Sequence, residues 1–61
     1  MNEALAAFKA LADDTRLKIL KELSAREMYI ELLAERLKLS PATISFHMKK
    51  LQAAGFVSPR R

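Results

Sequence analysis

Few side chains in this 61-residue sequence could take part in chemistry, and their spacing does not build a reactive site. The adjacent carboxylates of Asp13 and Asp14 precede a helical pattern, where capping and the helix dipole account for acidic residues. His47 is the sole histidine and lies close to a predicted apolar stripe, which favours packing or a phosphate contact over metal ligation. Without cysteine, the chain has no thiol nucleophile, disulfide or zinc cage. We therefore expect no enzyme, no metal and no cofactor.

Charge is distributed unevenly along the sequence. The net charge is +4, and all seven acidic residues lie between Glu3 and Glu35. The basic residues of the acid-free stretch 36–61 are Arg36, Lys38, Lys49, Lys50, Arg60 and Arg61. Such a surface suits a polyanion, because neutralising phosphates supplies most of the sequence-independent affinity for DNA. A solvated basic tail is the alternative.

The length of the chain predicts one small domain over residues 1–61. No apolar run approaches the roughly 18–20 residues that span a bilayer. The N-terminus also lacks the basic region and apolar stretch of a signal peptide. We expect a cytoplasmic protein with no membrane partner.

The N-terminal half predicts two amphipathic helices, because apolar residues recur at three- and four-residue spacing. The first helix runs from Glu3 to Ala12, and the second starts after Asp13 or Asp14 and ends near Ser24. Side chains expected inside from the second helix are those of Leu17, Ile19, Leu20 and Leu23, and those expected in solvent are Arg16, Lys18 and Lys21. In the first helix Leu5, Phe8 and Leu11 could pack within one chain or across a dimer, which a chain this small would favour.

Residues 25–40 predict a connection, a short helix and a turn. The connection runs from Ala25 to Tyr29, with a possible extended piece at Met28 and Tyr29. Apolar spacing then marks a third helix from Ile30 to Leu37. Ala34, a small residue, permits the close approach of the next helix.

The fourth helix has clear start and stop signals. Ser40 is suited to the N-cap, Pro41 to the first helical position, and Gly55 to the left-handed residue after the last turn. The buried stripe predicted by helical spacing consists of Ile44, Met48 and Leu51. Residues 33–57 therefore predict a helix-turn-helix within an all-α helical bundle.

The opposite face of the fourth helix is the predicted DNA-reading surface, formed by Ala42, Phe46, Lys49 and Ala53 and flanked by Ser45 and Lys50. Candidates for contact with base edges in the major groove are Pro41, Ala42, Ser45 and Phe46. Candidates for contact with phosphates are Ser40, Thr43, His47, Lys49 and Lys50. The partner predicted from these residues is double-stranded DNA.

Phe46 leaves a second interpretation open. The predicted pattern places no intrachain partner beside this ring, so an exposed Phe46 indicates a base contact, a protein contact or an ordinary surface apolar residue. The alternative function is a protein-interaction or dimerisation module that uses Phe46 and the apolar first helix without binding DNA.

Two runs, FKALADDTRLKILKEL (residues 8–23) and LAERLKLSPATISFHMKKLQAAGFV (residues 33–57), closely resemble the ArsR-type winged helix-turn-helix repressors of bacteria and archaea. In that family a phrase like ALADPTRLRIL opens the second helix, and one like LAERLGLSQSTVSHHLKVLREAGLV forms the helix-turn-helix. The resemblance implies a homodimeric transcriptional repressor on a pseudo-palindromic operator, with the helix that begins after Ser40 as the recognition helix.

Four departures from the family pattern qualify this resemblance. Tyr29 and Glu31 stand where metal-sensing members have the cysteines of a phrase like ELCVCDL, which excludes thiolate sensing there. Lys38 replaces the usual turn glycine and can add a phosphate contact. Phe46 replaces a frequent histidine. The sequence reaches Arg61 where a β-hairpin wing and a last helix usually follow, which favours a truncated module in which Val57, Ser58 and Pro59 lead toward the wing and Arg60 and Arg61 contact DNA backbone or solvent.

Overall fold

The computed structural model describes residues 2–58, which form four α-helices. The helices are α1 (Glu3–Leu11), α2 (Asp14–Ala25), α3 (Ile30–Leu37) and α4 (Pro41–Ala53). The predicted all-α class is confirmed, and residues 2–58 contain no strand. Tyr29 has extended backbone without strand pairing in this range. The contacts predicted for Arg60 and Arg61 lie outside the described residues.

Side-chain caps set the starts of the first two helices. The Asn2 side chain accepts a hydrogen bond from the Leu5 N–H at 3.0 Å, and the Asp13 carboxylate accepts one from the Thr15 N–H at 2.8 Å. Of the two acidic candidates, Asp13 is therefore the N-cap and Asp14 is the first helical residue. These bonds satisfy N–H groups that have no partner within the helix.

The turn between α3 and α4 requires left-handed backbone. Lys38 adopts φ 60° and ψ 45°, and its N–H bonds to carbonyls of the last turn of α3. Ser40 then caps α4, where its hydroxyl accepts a hydrogen bond from the Thr43 N–H at 3.1 Å. Pro41 begins the helix, and Gly55 with φ +85° follows its last turn. The predicted start, stop and turn are thus confirmed.

The core lies where α2, α3 and α4 meet. Its fully buried side chains are Ile19, Leu33, Ile44 and Leu51, and Ala34 lies beside them. Each buried aliphatic side chain contributes on the order of 2 kcal/mol of hydrophobic stabilisation. Met48 packs against this cluster and completes the stripe predicted for α4.

Two expectations for α2 were wrong. Leu17 was expected inside but is 49% exposed, whereas the Arg16 side chain, expected in solvent, is only 13% exposed. The cause is helical phase: at about 100° per residue, Arg16 lies on the same side as Leu20 and Leu23, and Leu17 lies at the edge of that stripe.

The α1 helix contributes little to the core. Ala10 is its buried residue, whereas Leu5 is exposed and Phe8 is 71% exposed. Within residues 2–58, none of the helices has the length and apolarity needed to cross a membrane.

Substituting Lys38→Gly is expected to stabilise the folded chain by about 0.5–1 kcal/mol, because glycine removes the steric cost of left-handed backbone. The net gain is smaller than this steric cost, since glycine also raises the conformational entropy of the unfolded chain. Thermal unfolding followed by circular dichroism measures the change. The control is Lys38→Ala, which removes the same side chain but keeps the Cβ atom. Equal melting temperatures for the two variants would contradict the strain argument.

Candidate nucleic-acid interface

The exposed face of α4 is the one that helical phase predicted. Ala42, Phe46, Lys49 and Ala53 are all exposed, and Ile44 and Leu51 on the other side are fully buried. Of the flanking residues, Lys50 is exposed and Ser45 is half-buried. Lys38, Ser40 and Pro41 are exposed at the N-terminal end of the same helix. The structure therefore brings these site candidates onto one continuous surface.

Ser40 and Thr43 form a small polar unit at the start of α4. The Ser40 hydroxyl donates to the Thr43 hydroxyl oxygen at 2.9 Å while it caps the helix through the Thr43 N–H. Because a hydroxyl carries one hydrogen, Ser40 has spent its donor on Thr43. The Thr43 hydroxyl keeps its own hydrogen as a donor.

Phe46 has neighbours that the sequence pattern did not include. Its ring is 55% exposed and makes an edge contact with His47, with ring centroids 5.2 Å apart. The Lys50 Nζ atom lies 5.4 Å from the centroid of the same ring. The expectation of no intrachain partner was therefore wrong, because residues four apart on a helix are neighbours. The contacts orient the ring and leave over half of it accessible.

His47 faces away from that surface, toward α2. Its side chain is only 12% exposed, and its Nδ1 atom lies 3.2 Å from a guanidinium nitrogen of Arg16 and 3.8 Å from a carboxylate oxygen of Asp13. Of the two roles left open by the sequence, packing and phosphate contact, this position favours packing. Within residues 2–58, no three potential ligands are placed to hold a metal ion.

Arg16 connects three helices and was missed as a functional candidate. Its Nε donates to the Ala10 carbonyl at 2.6 Å, and its Nη2 donates to the Lys9 carbonyl at 3.3 Å. Both carbonyls belong to the last turn of α1, and the Lys9 carbonyl also accepts a hydrogen bond from the Ala12 N–H at 3.3 Å. The sequence does contain a signal for its inward position, because helical spacing places Arg16 on the same face as Leu20 and Leu23.

The carboxylates of Glu22 and Asp13 interact with basic groups outside the exposed face of α4, whose lysines form no ion pair within the part of the chain that the structure describes. Arg36 Nε donates to a Glu22 carboxylate oxygen at 2.6 Å, and this hydrogen-bonded carboxylate raises the pKa of Arg36. Partial burial acts to raise the pKa of Asp13, but the N–H groups of Thr15 and Arg16 and the nearby side chains of His47 and Arg16 lower it overall. Lys38, Lys49 and Lys50 form no ion pair with any residue in the range 2–58.

A short helix, a left-handed turn and a capped helix with an accessible face define a helix-turn-helix protein. Residues 13–58 match the family model described as "Bacterial regulatory protein, arsR family". The chain belongs to this family, which confirms the resemblance seen in its sequence.

Individual relatives give the same result. The chain is 41% identical over 54 residues to the HTH-type transcriptional regulator KmtR of Mycobacterium tuberculosis, a match that covers 88% of this chain and 42% of KmtR. It is 42% identical over 60 residues to the nodulation protein NolR of Rhizobium meliloti, covering 97% and 49% of the two chains. It is 36% identical over 59 residues to the transcriptional activator HlyU of Vibrio cholerae, covering 97% and 55%.

The chain spans about half the length of the curated relatives it matches. No solved structure gives a significant match.

Proposed function

We propose that this chain is the DNA-binding part of an arsR-family transcriptional regulator and that α4 enters the major groove of its operator. The observation that carries the proposal is the composition of the exposed face of α4. From Pro41 to Ala53 this helix contains no carboxylate, and both of its lysines are exposed and form no ion pair with residues 2–58. Family membership supports the same function.

Base reading falls to the N-terminal half of α4. Pro41, Ala42 and Phe46 are exposed there, and Ser45 lies beside them with the one side-chain hydroxyl of the group. Small residues permit close approach to the base edges, and an apolar ring is complementary to the methyl group of thymine. Phe46 is therefore proposed to favour thymine at the base step it contacts.

Phosphate contacts surround this reading surface. Lys49 and Lys50 follow one helical turn after the base-reading residues, and Lys38 and Thr43 lie near the start of the helix. The three lysines and the Thr43 hydroxyl are proposed to fix the helix on the duplex without reading its sequence. Lys50, which also lies over the Phe46 ring, connects the phosphate contacts to the base-reading residue.

The regulator is proposed to act in the cytoplasm as a homodimeric repressor, because two copies of α4 on a pseudo-palindromic operator would block access to the DNA they cover. Exposed Leu5 and Phe8 support self-association through α1, since burying them in a second copy would remove their apolar surface from water. Repression is not implied by the names of all relatives, since HlyU is named a transcriptional activator.

Binding to a mixed-sequence duplex, measured by fluorescence anisotropy over a range of salt concentrations, tests the assigned surface. Lys49→Ala/Lys50→Ala is expected to weaken binding to all sequences and to reduce the slope of log K against log salt by about two phosphate contacts.

The matched control for the double lysine variant is Lys18→Ala/Lys21→Ala, which removes the same charge from α2, where Lys18 pairs with Asp14 at 3.2 Å. This control should keep the wild-type slope. Equal slopes of log K against log salt for the two double variants would contradict DNA contact through α4. Weak binding that persists at high salt would favour the protein-interaction alternative.

Phe46 is tested by removing the thymine methyl groups. When every thymine of a selected binding duplex is replaced by deoxyuridine, the wild-type chain is expected to lose about fivefold in affinity, within the range for a single base contact. Phe46→Ala should bind the two duplexes equally well, because it lacks the ring that contacts the methyl group. The same loss for both proteins would show that the methyl groups are not read by Phe46.

Self-association is tested by sedimentation velocity. Phe8→Lys is expected to shift the chain from dimer to monomer, since it places a charge in the proposed contact. Tyr29→Lys serves as the control, because Tyr29 is an equally accessible aromatic residue outside α1. A wild-type chain that stays monomeric at every concentration would contradict dimerisation through this surface.

A further inference from the structure

The Arg16 side chain makes the polar contacts that join α4 to the first two helices. One guanidinium contacts the α1 carbonyls of Ala10 and Lys9 and, through Nη1, the His47 ring of α4. Asp13 lies 3.7 Å from the same Nη1 atom. These contacts are polar and directional, whereas the Ile44 and Leu51 contacts of α4 are apolar. They can therefore set the rotation of α4 about its axis more narrowly than packing alone.

The chemistry of this contact determines the form of the imidazole. A guanidinium has five N–H donors and no acceptor, so His47 Nδ1 must present a lone pair to Arg16. The ring is then neutral and carries its proton on Nε2. A proton on Nδ1 would point at a donor group and a positive charge, and Asp13 at 3.8 Å would be the competing partner.

We propose that His47 is a positioning residue, held by Arg16 as the neutral Nε2–H tautomer, which orients the DNA-reading face of α4 without touching DNA. This inference rests on the proposed function. His47 is in contact with the proposed base-reading residue Phe46, whose ring makes an edge contact with the His47 ring at an angle of 71° between the ring planes. Loss of the Arg16–His47 hydrogen bond is therefore expected to shift the Phe46 ring as well.

Protonation of His47 breaks this arrangement. The charged groups that face the ring from α2 are Arg16 and Asp13, and Arg16 shares a groove with Lys9 of α1 and Lys50 of α4. A protonated His47 ring has no lone pair on Nδ1, so it can no longer accept the hydrogen bond from Arg16 and instead repels this cation. DNA affinity is thus expected to fall on acidification, as the ring gains a proton. A histidine that contacted phosphate would have the opposite effect, because its protonation adds an attractive charge.

Three variants of the 61-residue chain separate the two roles by anisotropy titrations in salt and in pH. His47→Asn keeps an acceptor near the Nδ1 position and does not titrate, so it should bind within about twofold of wild type at pH 7.5 and lose the fall at low pH. His47→Leu should bind about tenfold more weakly with an unchanged salt slope, as expected for the loss of a hydrogen bond to a charged group. Arg16→Lys should cost less DNA affinity in the His47→Leu background than in the wild type, because one of the Arg16 contacts is already lost there.

A positioning role is overturned if His47→Asn lowers the salt slope by about one phosphate contact, or if wild-type affinity rises on acidification. Circular dichroism establishes whether each variant is folded. Should His47→Leu fail to fold, the slope and pH profile of His47→Asn decide the question.

The tautomer is measured without DNA, by long-range ¹H–¹⁵N correlation spectra of the His47 ring. An unprotonated Nδ1 that becomes partly protonated when Arg16 is replaced by Met, which removes both the donor and the charge, supports the inference. A protonated Nδ1 in the wild type overturns it. A wild-type chain that fails to bind DNA but shows the expected tautomer would refute the proposed function and the DNA-positioning role, while leaving the Arg16–His47 contact established.

Discussion

The packing of α4 through Ile44 and Leu51 is the constraint on which the recognition surface depends. Both side chains are fully buried with Ile19 and Leu33, so α4 cannot rotate without exposing apolar surface to water. A rotation by one residue, about 100°, would turn the buried stripe out of the core. The same packing that stabilises this small bundle therefore decides which residues of α4 face outward.

The turn before α4 sets where that surface begins. Left-handed backbone at Lys38 ends α3, and the Ser40 cap with Pro41 starts α4 two residues later. So short a connection permits few relative orientations of the two helices, and Ala34 lets them approach closely. The turn accepts a lysine in left-handed backbone, a conformation that favours glycine, and this places a cation at the start of the exposed face.

Charge separation within the bundle completes the surface. Glu22 pairs with Arg36, and Asp14 pairs with Lys18, so acidic groups of α2 are directed to α3 or to their own helix. The lysines of α4 have no such partner among residues 2–58. A chain with a net charge of only +4 can thus present a basic face, because α4 has two lysines that are unpaired among the described residues and no carboxylate of its own.

The sequence by itself determined the four helices, the Ser40 cap, the buried stripe of α4 and the family, because helical period, capping and turn chemistry are local properties. It left Asp13 and Asp14 as two candidates for the cap of α2, and the structure selected Asp13. Only the tertiary structure decided that Arg16 turns inward, that Leu17 stays half exposed and that His47 faces α2 rather than the outside. The physical reason is that these side chains are placed by partners from other helices. The Arg16 and His47 side chains meet across 31 positions of sequence, a separation that no local pattern encodes.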